Sequence, residues 1–187
     1  MGRVEALSAI PKGAIVTQGW DASVDYADCY RVRGAWLAGH SVDYLTAVAF
    51  SHVPRWVRFL ERLRDRLVRC FGLQTGADVV PVLPDPGARY EPGADVVFFQ
   101  VLARSEQELV LGEQDRHLDF RVSVLLEPDP GPTPSLSLTT VVHFHNVWGR
   151  LYFLPVRPFH RLIVRRLLAS LQARVEPHPP SVARDRR

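Results

Sequence analysis

Two segments of the chain alternate apolar and polar residues with a period of two, the pattern of strands with one buried face. They are HLDFRVSVLL (His117–Leu126) and SLSLTTVVHFH (Ser135–His145), joined by the Pro-rich run EPDPGPTP. VVFFQVLA (Val96–Ala103) and ELVLG (Glu108–Gly112) flank a short polar turn and predict a hairpin. VDYADCYRV (Val24–Val32) predicts an earlier strand. Helical spacing governs other regions. Ser41 is placed to cap a helix reaching about His52. Pro54 opens RWVRFLERLRDRLVR, which sets Trp56, Phe59, Leu60, Leu63, Leu67 and Phe71 on one face. Residues 74–95 are rich in Gly and Pro and predict a long loop with a short strand at Val79–Leu83. NVWGR (Asn146–Arg150) reads as a turn or bulge, LYFLPV as extended chain, and PFHRLIVRRLLASLQARV as a long helix. Phe159, Leu162, Ile163, Leu167 and Leu171 form the expected apolar stripe of that helix.

Helices, a run of antiparallel strands and a long C-terminal helix predict an α+β fold. The helix stripe and one sheet face must cover each other, which is the helix-grip arrangement. Residues 1–20 read as a lead-in, 21–175 as a single domain and 176–187 as a polar, disordered tail. A sheet–helix cavity is the natural place for a small apolar ligand, with Phe98, Phe120 and Phe144 as candidate lining residues.

The polar positions of the two alternating strands carry the candidate chemistry. A hairpin centred near Gly131 opposes His117 to His145 and Asp119 to His143, with Arg121 and Thr139 close by. A slip of one residue would send the two polar rows to opposite faces. Three readings stay open. The row is the solvated side of a half-buried sheet. Or it is a polar ligand site, with Arg121 clamping an anion and His117, His143 or His145 acting as donor or general base. Or His143 and His145 in HFH, with His117 and Asp119, bind a metal, although a bare His-x-His is a weak signal. No phosphate loop, dinucleotide fingerprint, nucleophile elbow or zinc-protease motif occurs.

Composition narrows the class. Hydrophobic residues make up 47% of the 187 and charged residues 23%, as in ordinary globular domains. The net charge of +3 creates no strong field, and Lys12 is the only lysine among 23 basic side chains. The arginines of the second helix lack interleaved aromatics, so nucleic acid is not an expected partner. Cys29 and Cys70 fit no zinc spacing and read as free thiols in a reducing, cytoplasmic setting. No apolar run approaches the roughly 18 residues of a spanning helix, and no membrane partner is expected.

Three blocks resemble a known family: LGEQDRHLDFRVSV (Leu111–Val124), TTVVHFHNVWGRLYFLPVRPFHRLIVRRLL (Thr139–Leu168) and, more weakly, PRWVRFLERLRDRLVRCFGL (Pro54–Leu73). Together they resemble the bacterial family called domain of unknown function 2867, over roughly Asp21 to Leu171. The resemblance implies a helix-grip fold of the START or Bet v 1 kind, related to polyketide cyclases, and brings no catalytic residue with it. The expected function is binding of a small apolar or amphipathic molecule, without a cofactor. A cyclase, dehydrase or metal-dependent enzyme using His117, Asp119, His143 and His145 is the first alternative. A structural or protein-interaction domain is the second.

Overall fold

A computed structural model describes residues 3–20, 23–51, 83–97, 99–114, 116–127 and 133–175. The helix expected from Pro54, residues 79–82 of the strand expected at Val79–Leu83, Cys70 and Phe98 lie outside them. In chain order the elements are β1 (Glu5–Leu7), β2 (Tyr26–Arg33), a single 3-10 turn (Ala35–Leu37), α1 (Val42–Phe50), β3 (Asp95–Val96), β4 (Phe99–Arg104), β5 (Glu108–Gln114), β6 (Leu118–Glu127), β7 (Ser135–Phe144) and α2 (Val147–Leu171). The strands form one open antiparallel sheet in the order β1-β2-β7-β6-β5-β4-β3. This is the α+β class expected, with a C-terminal helix. The expected hairpin is β4–β5, and Ser41 caps α1 by accepting from the Tyr44 amide at 3.1 Å.

The β6–β7 register is the one the alternation implies. Asp119 opposes His143 and Leu118 opposes Phe144, while the His145 amide donates to the His117 carbonyl at 3.0 Å. Even-numbered positions of β2, β6 and β7 therefore share a face. Tyr30, Val32, Val122, Val124, Leu136 and Leu138 meet Val42, Leu45, Val164, Leu168 and Leu171 of the two helices there. Asp43, almost fully buried, ties α1 to the sheet: it accepts from the Tyr90 amide at 2.8 Å and from both terminal nitrogens of Arg104 at 3.3 Å.

Two expectations are corrected. NVWGR and LYFLPV are neither bulge nor extended chain but the first turns of α2. Asn146 caps the helix, its side-chain oxygen accepting from the Trp148 amide at 3.0 Å and the Gly149 amide at 3.1 Å. Pro155 and Pro158 sit inside the helix on its exposed side. They lack the N–H that the carbonyls of Leu151 and Leu154 would accept, so the local signal for helix is weak although the helix continues. The buried stripe of α2 is also rotated. Phe159 and Leu162 are exposed, and Phe153, Val156, His160, Val164, Leu168 and Leu171 turn toward the sheet.

Part of the first twenty residues packs on the odd-numbered sheet face. β1 pairs with β2, and the following segment crosses the sheet, burying Val16 completely against Val110 and Val141. The odd-numbered face is thus covered over much of its area, while its Asp119–His145 end stays partly exposed. Its polar residues are matched in place: Glu108 accepts from the Ile15 amide at 2.7 Å and from the Ser123 hydroxyl at 2.5 Å. The Thr139 hydroxyl donates to the buried thiol of Cys29 at 3.1 Å. Arg31 binds both Ser137 and Glu127.

The join between α2 and β6 gives a test. A Cβ built on Gly149 would stand 2.2 Å from the carbonyl oxygen of His117, and the obstructing atom is backbone. Gly149→Ala should therefore push the start of α2 off the sheet and destabilise the fold by about 1–3 kcal/mol, as overpacking does elsewhere. Equilibrium urea unfolding reads this directly; an unchanged midpoint would contradict the close approach.

Candidate functional site

The polar row read from the sequence assembles, but each member has a local partner. Asp119 Oδ1 lies 3.0 Å from His145 Nε2, and His143 Nδ1 lies 3.1 Å from Asp25 Oδ2. The two imidazole rings meet edge to face, with centroids 5.1 Å apart. Asp25 also accepts from the Phe144 amide at 2.8 Å and from Arg150 at 3.2 Å. His117 hydrogen bonds through Nδ1 with the side chain of Asn146, while its Nε2 is buried without a hydrogen-bond partner. Arg121 donates to the carbonyls of Val16, at 3.1 Å, and Gln18, at 2.8 Å, with Trp20 stacked on its guanidinium. The group expected to clamp an anion instead holds the N-terminal segment. Among the described residues, no three His, Cys, Asp or Glu side chains come together in a way that would hold a metal ion.

A second polar cluster lies on the other face, in the seam between α2 and strands β2 and β7. Tyr26 and Asp28 project from β2, Thr140 from β7 and His160 from α2. The Tyr26 hydroxyl donates to Asp28 Oδ2. His160 Nε2 and the Thr140 hydroxyl share a hydrogen bond of 3.0 Å. His160 Nε2 is also 3.4 Å from Asp28 Oδ1, within ion-pair range but outside good hydrogen-bond alignment. The Asp28 side chain is 8% exposed and that of His160 20%. Arg161 Nε donates to the Tyr26 oxygen at 3.3 Å, and Arg157 stands 5.1 Å over the Tyr26 ring. Beside this cluster is an apolar patch of Leu118, Val142 and Phe153 with Phe120 and Phe144 packed against it. Two of the three phenylalanines expected to line a ligand site thus adjoin the polar quartet.

Comparison with known families now bears on this geometry. Residues 20–167 match the family model described as protein of unknown function (DUF2867). The chain belongs to this family. Neither a curated protein nor a solved structure matches it.

In this DUF2867 chain two groups of the seam, among the described residues, have displaced ionisation. Burial raises the Tyr26 phenol, the hydrogen bond to Asp28 raises it further, and together they push it up to about 12 against the opposing effect of Arg161. Tyr26 therefore stays a neutral donor. Burial also pushes the Asp28 carboxyl up. His160, Tyr26 and Thr140 outweigh that effect, so Asp28 ends below the ordinary carboxylate value and stays ionised. The sequence reading missed this cluster, yet signals for it exist. Asp28 falls on the same strand face as Tyr26, Tyr30 and Val32, where an aspartate is out of place. His160 falls on the helical spacing of Phe153, Val156, Val164 and Leu168 once the helix is extended back to Val147.

A depressed carboxyl pKa stabilises the fold above the unfolded value and loses that contribution as pH falls through the folded value. The Asp28 contribution should accordingly be complete above the reference value of 3.8 and disappear at lower pH. Asp28→Asn should flatten that acid limb of the stability curve, measured by urea unfolding across the acid range. Parallel curves for the two proteins would contradict the assignment of an ionised, partnered Asp28.

Proposed function

We propose that this chain is a small-molecule-binding domain of the helix-grip kind, and that its site is the seam between α2 and strands β2 and β7. The ligand is amphipathic: an apolar body against Phe120, Phe144 and Phe153, and a hydrogen-bond donor directed at Asp28. One observation carries the reading. Asp28 Oδ1 is buried without a hydrogen bond of ordinary geometry, and among the described residues it is the one carboxylate oxygen in that state. Leaving such an atom unsatisfied costs about 1–3 kcal/mol, and more for a charged group. A ligand hydroxyl or amine would offset that cost. The outer row of Asp119, His143 and His145 supports a site less well, because its partners are all within the protein.

A second reading adds chemistry at the same place. An ionised aspartate beside an imidazole is the arrangement that orients a histidine as a general base, and the low pKa of Asp28 favours it. Binding comes first in either case.

The test uses native mass spectrometry of the purified full chain for co-purifying apolar molecules, followed by titration with 1-anilinonaphthalene-8-sulfonate. We expect saturable binding that Asp28→Asn and Phe144→Ala each weaken at least tenfold, about 1.4 kcal/mol. Asp119→Asn, on the opposite sheet face, should bind like the wild type. Equal affinity in all three variants, with folding verified by circular dichroism, would sink the seam as the site.

A further inference from the structure

Helix α2 is apolar on two opposite sides. One side packs on the sheet. The other carries Val147, Leu151, Leu154 and Leu162, with exposures of 68%, 53%, 68% and 42%, together with the half-exposed Phe159. At 100° per residue Leu151, Leu154, Pro158 and Leu162 fall within an arc of about 80°, and the stripe from Val147 to Leu162 runs about 22 Å along the axis. A soluble surface helix ordinarily presents charge on this side.

The charges of α2 lie along one edge of the stripe and at its C-terminal end. Arg150, Arg157, Arg161 and Arg165 are all exposed, and the helix from Val147 to Leu171 contains no aspartate or glutamate. Among the described residues, Arg150 alone of these four forms an ion pair, with Asp25. A partner for this side must therefore be apolar where the leucines are and anionic beside them. A second copy of the chain fails the second condition, since packing α2 on α2 sets arginine rows together with no carboxylate between them. An anionic bilayer meets both conditions. Leucine and phenylalanine side chains enter the boundary between headgroups and acyl chains, and arginines reach back to the phosphates in bidentate fashion.

We propose that α2 is a membrane-surface helix, which lays its outward side on an anionic lipid surface. Spanning is a separate matter: no helix among the described residues is long and apolar enough to cross a membrane. The expectation of no membrane partner rested on the lack of a spanning segment, which an interfacial helix does not need. The proposal does not depend on ligand binding in the seam; Arg157 and Arg161 border both surfaces through their contacts with Tyr26, whereas the leucines, Arg150 and Arg165 lie outside the seam cluster.

Co-sedimentation of the full chain with vesicles tests it. We expect binding to mixed phosphatidylglycerol–phosphatidylcholine vesicles, little binding to pure phosphatidylcholine, and weakening with added salt. Leu151→Glu with Leu154→Glu should abolish binding. Arg150→Gln with Arg165→Gln should reduce it about tenfold or more, given the roughly 1 kcal/mol per basic residue at such surfaces, at a melting midpoint little changed, because among the described residues Arg150 makes only an exposed ion pair and Arg165 makes none. Should the leucine variant fail to fold, the arginine variant decides alone. The proposal is overturned by absence of binding to the mixed vesicles, or by a folded arginine variant that binds them like the wild type. It is equally overturned if the chain ignores vesicles and light scattering finds a dimer that Leu154→Glu dissolves.

Discussion

The pairing of β6 with β7 runs from Leu118 opposite Phe144 to Glu127 opposite Ser135, and it decides which side of the molecule every other group occupies. With this register the even positions present Val122, Val124, Leu136 and Leu138 to the helices. The odd positions bury Ser123, Ser137 and Thr139 on the other face, hydrogen-bonded to Glu108, Arg31 and Cys29, with Val141 under Val16 of the N-terminal segment. A slip of one residue would exchange the two sets, placing hydroxyls under α2 and valines against irregular backbone. Both faces are buried, so both resist the slip. The apolar cover fixes the pairing by area removed from water, and the polar cover fixes it by hydrogen bonds that no other register could make.

A sheet face covered by an irregular segment cannot be wholly apolar. Backbone amides and carbonyls that leave water without belonging to a helix or ladder need partners, and side chains must supply them. Glu108 does so for the amide of Ile15, and Arg121 for the carbonyls of Val16 and Gln18. The polarity of the odd-numbered face is thus a structural requirement of the covering segment as much as a sign of chemistry. That is why a row of histidine, aspartate and arginine, suggestive in the sequence, resolves into pairs that satisfy each other or the backbone.

The parts of the fold that could be read beforehand are those with a strict local period. Alternation placed β6 and β7, opposed Asp119 to His143, and put Phe120 and Phe144 on the helix side; a serine before an apolar run placed the start of α1. What escaped lacked a period or carried a misleading residue. Gly149, Pro155 and Pro158 disfavour helix, and only the Asn146 cap and tertiary packing override them. The segment around Val16 has no periodicity, so its place on the sheet had no local signal. His160 was hidden because the stripe was counted from Pro158, which moved Phe159 and Leu162 into slots that belong to His160 and Val164.

The molecule holds two kinds of histidine–aspartate pair, and their settings separate them. His145 and Asp119 stand at one end of the interior strands β6 and β7 with side chains 38% and 21% exposed, where water can take over from either partner and a pair is worth about 0–1 kcal/mol. His160 and Asp28 lie beneath a helix. There desolvation costs several kcal/mol per ion, and an apolar pair of similar volume would often hold the fold better. The inner carboxylate still stabilises the fold when ionised, because its hydrogen bonds outweigh its desolvation, but an apolar replacement of both partners would not need them. The inner carboxylate is retained with one oxygen poorly matched, and it is held ionised by Tyr26, Thr140 and His160 around it. Three groups therefore hold one buried charge ionised next to an aromatic patch, and it is this combination of charge and apolar surface on which the proposed site rests.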